Sequence, residues 1–166
     1  GVLDKYASRL CYVTEKVDGT ATSAYMDDEG VVHVCSKYSD ITYNPDDAYW
    51  RAWLPHVKWF QKFPPFTIFQ GELCGPKVQS NTLNLSSKRI FLFNVFNAQK
   101  GTYLDWTKLC VVASLLGISV VPIIKTDYPL PRNVDELVTF AMGRSMINPL
   151  HEREGIVIRV NGPIYD

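Results

Sequence analysis

Short runs of apolar residues punctuated by turn signals run through the chain. Residues 11 to 17, 21 to 26 and 31 to 37 cluster or alternate β-branched and aromatic side chains. Asp18-Gly19 and Asp27-Asp28-Glu29-Gly30 separate them, which predicts an antiparallel meander. A polar stretch from Tyr38 to Asp47 follows, with a turn at Asn44-Pro45 and with Asp46 or Asp47 placed to cap a helix. Trp50, Trp53, Leu54, Val57 and Phe60 recur at spacings of three and four, so the helix is expected from about Ala48 to Gln61 with these residues as its buried stripe. Pro64-Pro65 breaks it. Phe66 to Leu73 and Arg89 to Asn97 read as strands, the second apolar enough to be buried on both faces, and residues 75 to 87 as a Gly, Pro, Asn and Ser loop. The pattern then predicts a helix from Thr102 to Leu116 ended by Gly117, a strand from Ser119 to Ile124, a proline-rich link at 128 to 131, a helix near Val134 to Met142 capped by Asn133, and a last strand from Gly155 to Val160. No repeat, low-complexity tract or interdomain linker interrupts this order. The fold class expected is α+β, one domain built on antiparallel sheets with flanking helices.

A chain of 166 residues is long enough for one self-sufficient core. Cys11, Cys35, Cys74 and Cys110 form no close pairs, and with three histidines neither a disulfide framework nor a zinc site is indicated. The thiols read as reduced and the protein as intracellular. The longest apolar run, Leu109 to Ile124, is interrupted by Ser114, Gly117, Ser119 and Pro122 and falls short of the ~20 residues that cross a membrane. No segment has the order of a secretion signal. Lysine plus arginine equals aspartate plus glutamate, 17 of each, which excludes binding to nucleic acid through a broad positive field. Any such contact has to come from a local patch, for which Lys77, Lys88, Arg89 and Lys100 are the candidates; each taken singly reads equally as a solvated surface charge.

The chemistry gathers at three strand-like pieces. Tyr12 to Thr20 delivers Lys16, then Asp18, then Gly19. In an extended segment Lys16 and Asp18 share a face while Val17 turns into the packing. A strand that ends in an amine is a place for covalent chemistry, although Asp-Gly between apolar runs equally spells a hairpin with Lys16 near its tip. Phe69-Gln70-Gly71-Glu72 and Glu154-Gly155-Ile156-Val157-Ile158-Arg159 each present a glutamate beside glycine.

With Lys16-Val17-Asp18-Gly19, the string from Gly71 to Asn81, Phe91 to Phe96, and Glu154 to Arg159, the chain resembles the covalent nucleotidyltransferases, the superfamily of nucleic-acid ligases and messenger-RNA capping enzymes. Within it the chain most resembles the RNA ligase 2-like family, and Gly-Glu-x-x-Gly-Pro-x-x-Gln-x-Asn is the part that points to RNA ligases. The likeness runs from about residue 11 to 160. It implies the nucleotidyltransferase fold, with a nucleotide held in a cleft between sheets, and an ATP-dependent RNA ligase that joins 5'-phosphate to 3'-hydroxyl RNA ends through lysyl-AMP.

The resemblance implies the following roles. Lys16 is the nucleophile; a lysine attacks phosphorus only as the neutral amine. Glu154 is the carboxylate nearest the attacking amine and a divalent metal, Mg2+ or Mn2+, which the charge of the leaving pyrophosphate calls for; as bare sequence it reads also as a surface acid at a strand start. Glu72 accepts from the ribose hydroxyls. Phe93 stacks on adenine, with plain core as the rival reading beside Phe91 and Phe96. Glu15 contacts the adenine edge through its side chain or its backbone. Asp18, Gly19 and Arg159 complete the nucleotide site. Two departures stand out. Where the family carries an arginine after the third strand, this chain has Lys37, which keeps the charge and loses the bidentate fork. The family's Lys-x-Lys on a later strand is absent, and the sequence ends at Asp166. The expectation is a single adenylyltransferase domain that lacks its last strand and any C-terminal domain and reacts slowly alone. A DNA ligase or guanylyltransferase core and an inactive nucleotide- or RNA-binding relative are the alternatives. The partners expected are RNA ends, with no membrane.

Overall fold

A computed structural model describes residues 1 to 161. In chain order the elements are α1 (Val2–Tyr6), β1 (Leu10–Glu15), β2 (Thr20–Met26), β3 (Val32–Ser36), β4 (Asp40–Ile41), α2 (Ala48–Trp53), a 3-10 helix (Val57–Lys62), β5 (Thr67–Cys74), β6 (Arg89–Asn97), β7 (Thr102–Tyr103), α3 (Trp106–Leu116), β8 (Ser119–Val120), β9 (Ile123–Pro129), α4 (Val134–Ala141) and β10 (Ile156–Val160). The class is α+β with antiparallel sheets, as expected. Among the described residues no helix is long and apolar enough to cross a membrane.

The described residues divide into two compact units: residues 1 to 17 with 121 to 161, and residues 18 to 120. In the first, β1 is the centre of a three-stranded antiparallel sheet, flanked by β10 and β9. Its residues 11 to 15 are all buried, which is why both apolar and polar positions there are shielded. In the second, a seven-stranded sheet has the order β4-β3-β2-β5-β6-β7, with the short β8 parallel to β6. One face of it packs with α2, the 3-10 helix and α3 around Trp50, Trp53, Phe60, Phe69, Leu92, Leu109 and Leu116.

The meander expected for the first three strands forms only in part. β2 and β3 are an antiparallel pair, whereas β1 pairs with strands more than a hundred residues downstream, so Asp18-Gly19 is a connection between sheets and not a hairpin turn. The helix expected over 48 to 61 is cut by Pro55, which has no N–H to donate and whose ring crowds the preceding turn. Its first part is capped as predicted, Asp47 accepting from Tyr49 and Trp50 N–H at 2.9 and 3.1 Å, and the chain resumes as a 3-10 helix. Phe60 stays buried, while Leu54 and Val57 are only partly so. α3 starts at Trp106 because Asp105 caps it, and it ends at Gly117 in the left-handed region, φ 69°. Pro122 divides the strand expected at 119 to 124, leaving β8 and β9 in different sheets. β9 runs on to Pro129 through the expected link. Asn133 caps α4 as predicted, through Asp135 N–H. Lys100 lies in the turn after β6, whereas Arg89 opens that strand, and nine residues of strand set them roughly 26 Å apart. The four basic residues proposed as one patch are therefore not one patch.

Candidate active site

The candidate residues fall into two groups, one on each unit. In the first unit β1 presents Lys16. The ladder to β10 ends at Glu15 opposite Ile156, and Lys16 N–H continues it by donating to Gly155 O at 3.0 Å. The next residue back along that strand is Glu154, so the register itself sets a carboxylate beside the lysine. Lys16 Nζ donates to Glu154 Oε1, a contact closed over 138 residues of sequence. The side chains are 54% and 41% exposed. The amine is thus within reach of water and of a ligand, and among the described residues its charged partner is Glu154.

Glu15 is 2% exposed, and its Oε2 accepts from Met146 N–H at 2.8 Å. The carboxylate fastens the segment between α4 and β10. A second tie on that segment is Arg153. Its Nε donates to Ala141 O at 2.8 Å, and its second terminal nitrogen donates to Met142 O at 2.7 Å, filling carbonyls left open at the end of α4. Its guanidinium lies against Gly143, where an added Cβ would fall 3.1 Å from Cζ and where φ is +142°. Glu154 follows directly from this anchored arginine. Arg159 stands opposite Tyr12, four residues along β1 from Lys16, or roughly 13 Å of strand. Along the ladder it is not brought to the Lys16–Glu154 pair.

In the second unit the register makes a row. Ser36 pairs with Thr22, so the position after it, Lys37, falls beside Ala21; Ala21 pairs with Glu72, and Glu72 with Phe91. Strands stand about 4.8 Å apart, so this row crosses roughly 15 Å of the sheet. Alternation sends Phe69, Gly71 and Leu73 toward the apolar core and turns Gln70 and Glu72 to the other face, where both are half-buried. Gly71 is required at its place, since a Cβ would meet Ile90 Cγ2 at 2.6 Å and Phe91 O at 2.9 Å. Lys37 is exposed, its ammonium 5.2 Å from the ring centroid of its neighbour Tyr38.

Phe93 lies where the ladder is irregular. Gln70 pairs with Asn94 and Gly71 with Leu92, leaving Phe93 as the extra residue of a β-bulge. The bulge shifts the alternation so that Ile90, Leu92 and Val95 all reach the core, while Phe93, half-buried, is outside that cluster. Bulges re-aim side chains beside functional sites. Phe93 is not among the residues of the apolar cluster.

Asp18 and Gly19 sit at the end of β5. A Cβ on Gly19 would lie 2.3 Å from Leu73 O, 2.7 Å from Cys74 Sγ and 3.0 Å from Glu72 Cγ, so only glycine lets the chain pass. Asp18 Oδ2 accepts from Thr82 Oγ1 at 2.8 Å. Burial first, then the negative charges of Glu72 and Asp18, push the Cys74 thiol up to about 12, against a smaller opposite pull from Arg89. That thiol stays neutral. Thr82, Arg153 and Met146 escaped the sequence reading, and Cys74 entered it only as a thiol; Cys74 lies inside the Gly71 to Asn81 string, Thr82 directly after it and Arg153 directly before Glu154, whereas Met146 stands near no motif. A groove of about 630 Å³ in the first unit, lined in part by Tyr128, Phe140 and Met142, contains none of the candidate residues.

A family model described as RNA ligase matches residues 9 to 164. No curated protein matches the chain. Among solved structures, the Naegleria gruberi RNA ligase with PPi superposes with a TM-score of 0.89 at 24% identity, covering 98% of this chain and 50% of that one. A lysine-to-alanine mutant of the same ligase with ATP and Mn gives 0.88 at 23%, covering 96% and 49%. A glutamate-to-alanine mutant with AMP and Mn gives 0.88 at 23%, covering 96% and 48%. At these identities the likeness establishes the fold, and the chain spans about half the length of the structures it matches. The match of the family model over nearly its whole length places this chain in the RNA ligase family.

Proposed function

We propose that the chain is the adenylyltransferase part of an ATP-dependent RNA ligase that joins 5'-phosphate to 3'-hydroxyl RNA ends. The observation that carries this reading is the Lys16–Glu154 pair, two motif residues 138 positions apart that the β1–β10 register sets together in an exposed place. Lys16 Nζ, once it gives up a proton, attacks the α-phosphorus of ATP; a P–N bond forms, the α–β P–O bond breaks, and pyrophosphate leaves. Glu154 Oε1 is placed to take or hold that proton. An RNA 5'-phosphate then displaces Lys16 to give AMP-capped RNA, and a 3'-hydroxyl displaces AMP.

Glu72 accepts from the ribose hydroxyls and Phe93 stacks on adenine; Asp18, Gly19 and Lys37 belong to the same nucleotide site, Lys37 as a point charge toward phosphate. Glu15 serves through the segment it holds. Arg159, on β10 opposite Tyr12, is a phosphate ligand in this reading. The residues also fit a divalent metal. Glu154 is half-exposed, and among the described residues no group of three or more His, Cys, Asp or Glu could hold an ion. Few protein ligands and several waters is the manner of Mg2+. Such an ion supplies neutralisation of the triphosphate charge; the structural relatives were solved with Mn and ATP or AMP.

The test is incubation with ATP or GTP and Mg2+, followed by intact mass. An AMP adduct that is acid-labile and base-stable, formed from ATP and not from GTP, is the expected result. A GMP adduct would make the chain a guanylyltransferase, and absence of any adduct in the full-length protein would defeat the reading.

A further inference from the structure

The turn that carries Asp18 is fastened from both sides. On one side Gly19 is pressed on the end of β5 so closely that no Cβ fits. On the other, Thr82 Oγ1 donates to Asp18 Oδ2 at 2.8 Å across 64 residues of sequence. The loop that presents this hydroxyl is itself over-determined. Val78 and Leu83 are buried, Val78 within the apolar cluster. Asn81 closes a ring on Leu85, its Nδ2 donating to Leu85 O at 3.1 Å and its Oδ1 accepting from Leu85 N–H at 3.2 Å. Three successive turn bonds, from Val78, Asn81 and Asn84 N–H to Gly75, Val78 and Asn81 O, fold the segment between. Lys77, Gln79, Asn81 and Asn84 all hold positive φ, from 48° to 63°. Non-glycine residues persist in that region only where their surroundings enforce it. The hydroxyl is therefore delivered by a rigid loop, and the β-branched threonine narrows its rotamers further.

We propose that Thr82 is a positioning residue: its hydroxyl orients the Asp18 carboxylate and so fixes the turn that follows the nucleophile in sequence. The proposal rests on the adenylyltransferase reading for its consequence and on the geometry alone for the latch. A hydrogen bond to a charged group is worth roughly tenfold or more in an equilibrium or a rate. Thr82 directly follows the Gly71 to Asn81 string, so the latch ties the end of that string to the lysine motif.

Two measurements separate the latch from the function. Amide hydrogen exchange over residues 75 to 88 is compared between the native protein and Thr82→Val, which keeps the shape and removes the donor. Exchange about tenfold faster around Val78 to Leu85 is expected; unchanged exchange overturns the latch whatever the protein's activity. The rate of lysyl-AMP formation from ATP and Mg2+ is then compared for Thr82→Val, Thr82→Ser, Asp18→Ala and the Asp18→Ala Thr82→Val pair. Valine should slow it about tenfold, serine should keep most of it, and valine should add nothing once Asp18→Ala has removed the acceptor. Additive losses would overturn the assignment of Thr82 to Asp18. A native protein that forms no lysyl-AMP counts against the proposed function, and hydrogen exchange still decides the latch.

Discussion

The two groups of candidate residues are built on opposite plans. Lys16 and Glu154 in the first unit are half-exposed and touch each other through an ion pair, just past a strand whose residues 11 to 15 are buried. Asp18, Gly19, Glu72 and Cys74 in the second unit are packed until no extra carbon fits beside Gly19. An exposed ion pair contributes little to stability, so the first group is free to exchange partners, as the proposed nucleophile and metal ligand must. The second group is closely packed at Gly19, which is what the proposed recognition of a rigid base and sugar needs. A changed side chain should therefore cost function in one group and structure in the other.

Lys16→Ala gives the largest effect expected on chemistry and the smallest on structure. Covalent nucleotide should vanish while the unfolding free energy moves by no more than about 0.5 kcal/mol. Intact mass after incubation with ATP, beside a denaturant titration, checks both. Covalent AMP retained by the variant would remove Lys16 as nucleophile. Gly19→Ala is the converse. Its Cβ would lie 2.3 Å from a backbone oxygen, an atom that cannot swing away, so a loss of roughly 1–3 kcal/mol of stability is expected in the same titration. An alanine variant as stable as the native protein would show that the turn is looser than drawn.

Phe93→Ala tests a residue with features of both plans. Stacking on a base is worth roughly 1–3 kcal/mol, so ATP affinity measured calorimetrically should fall at least several-fold. Because Phe93 is outside the apolar cluster, the stability loss should stay below the roughly 3–5 kcal/mol of a core phenylalanine. Unchanged affinity in the folded variant would return it to a packing role.

These contrasts also mark what a single sequence can tell. The alternation Phe69, Gly71, Leu73 against Gln70, Glu72 is local, so the outward face of Glu72 was legible from period alone. The neighbours of β1 were not. Asp18-Gly19 is a short-range hairpin signal, whereas the pairing that prevailed is to β9 and β10, whose contacts no local pattern records. At 48 to 61 the apolar spacing ran through Pro55, and the backbone rule overrode the side-chain period. The bulge at Phe93 left no mark in composition, since a strand with an inserted residue differs only in the partner it faces. Glu154 beside Lys16 followed from motif likeness and was then explained by register, while the anchoring roles of Glu15 and Arg153 required the fold.

The last effect expected is a pH effect on the packed group alone. The Cys74 thiol, ordinarily near 9.0, is pushed to about 12 by burial and by the charges of Glu72 and Asp18. A pKa raised on folding means that the folded state holds its proton where the unfolded chain has released it. The contribution is complete below about pH 9 and is lost as pH rises from there toward 12, at a slope of at most about 1.4 kcal/mol per unit. Tyrosines and lysines also titrate in that range, so the comparison has to be with Cys74→Ala, which removes this thiol and keeps theirs. Denaturant titrations from pH 8 to 11 should show native stability falling more steeply than that of the variant, the two curves converging as pH rises. Parallel curves would mean that Cys74 is not shielded, and that the second group is as open to solvent as the first.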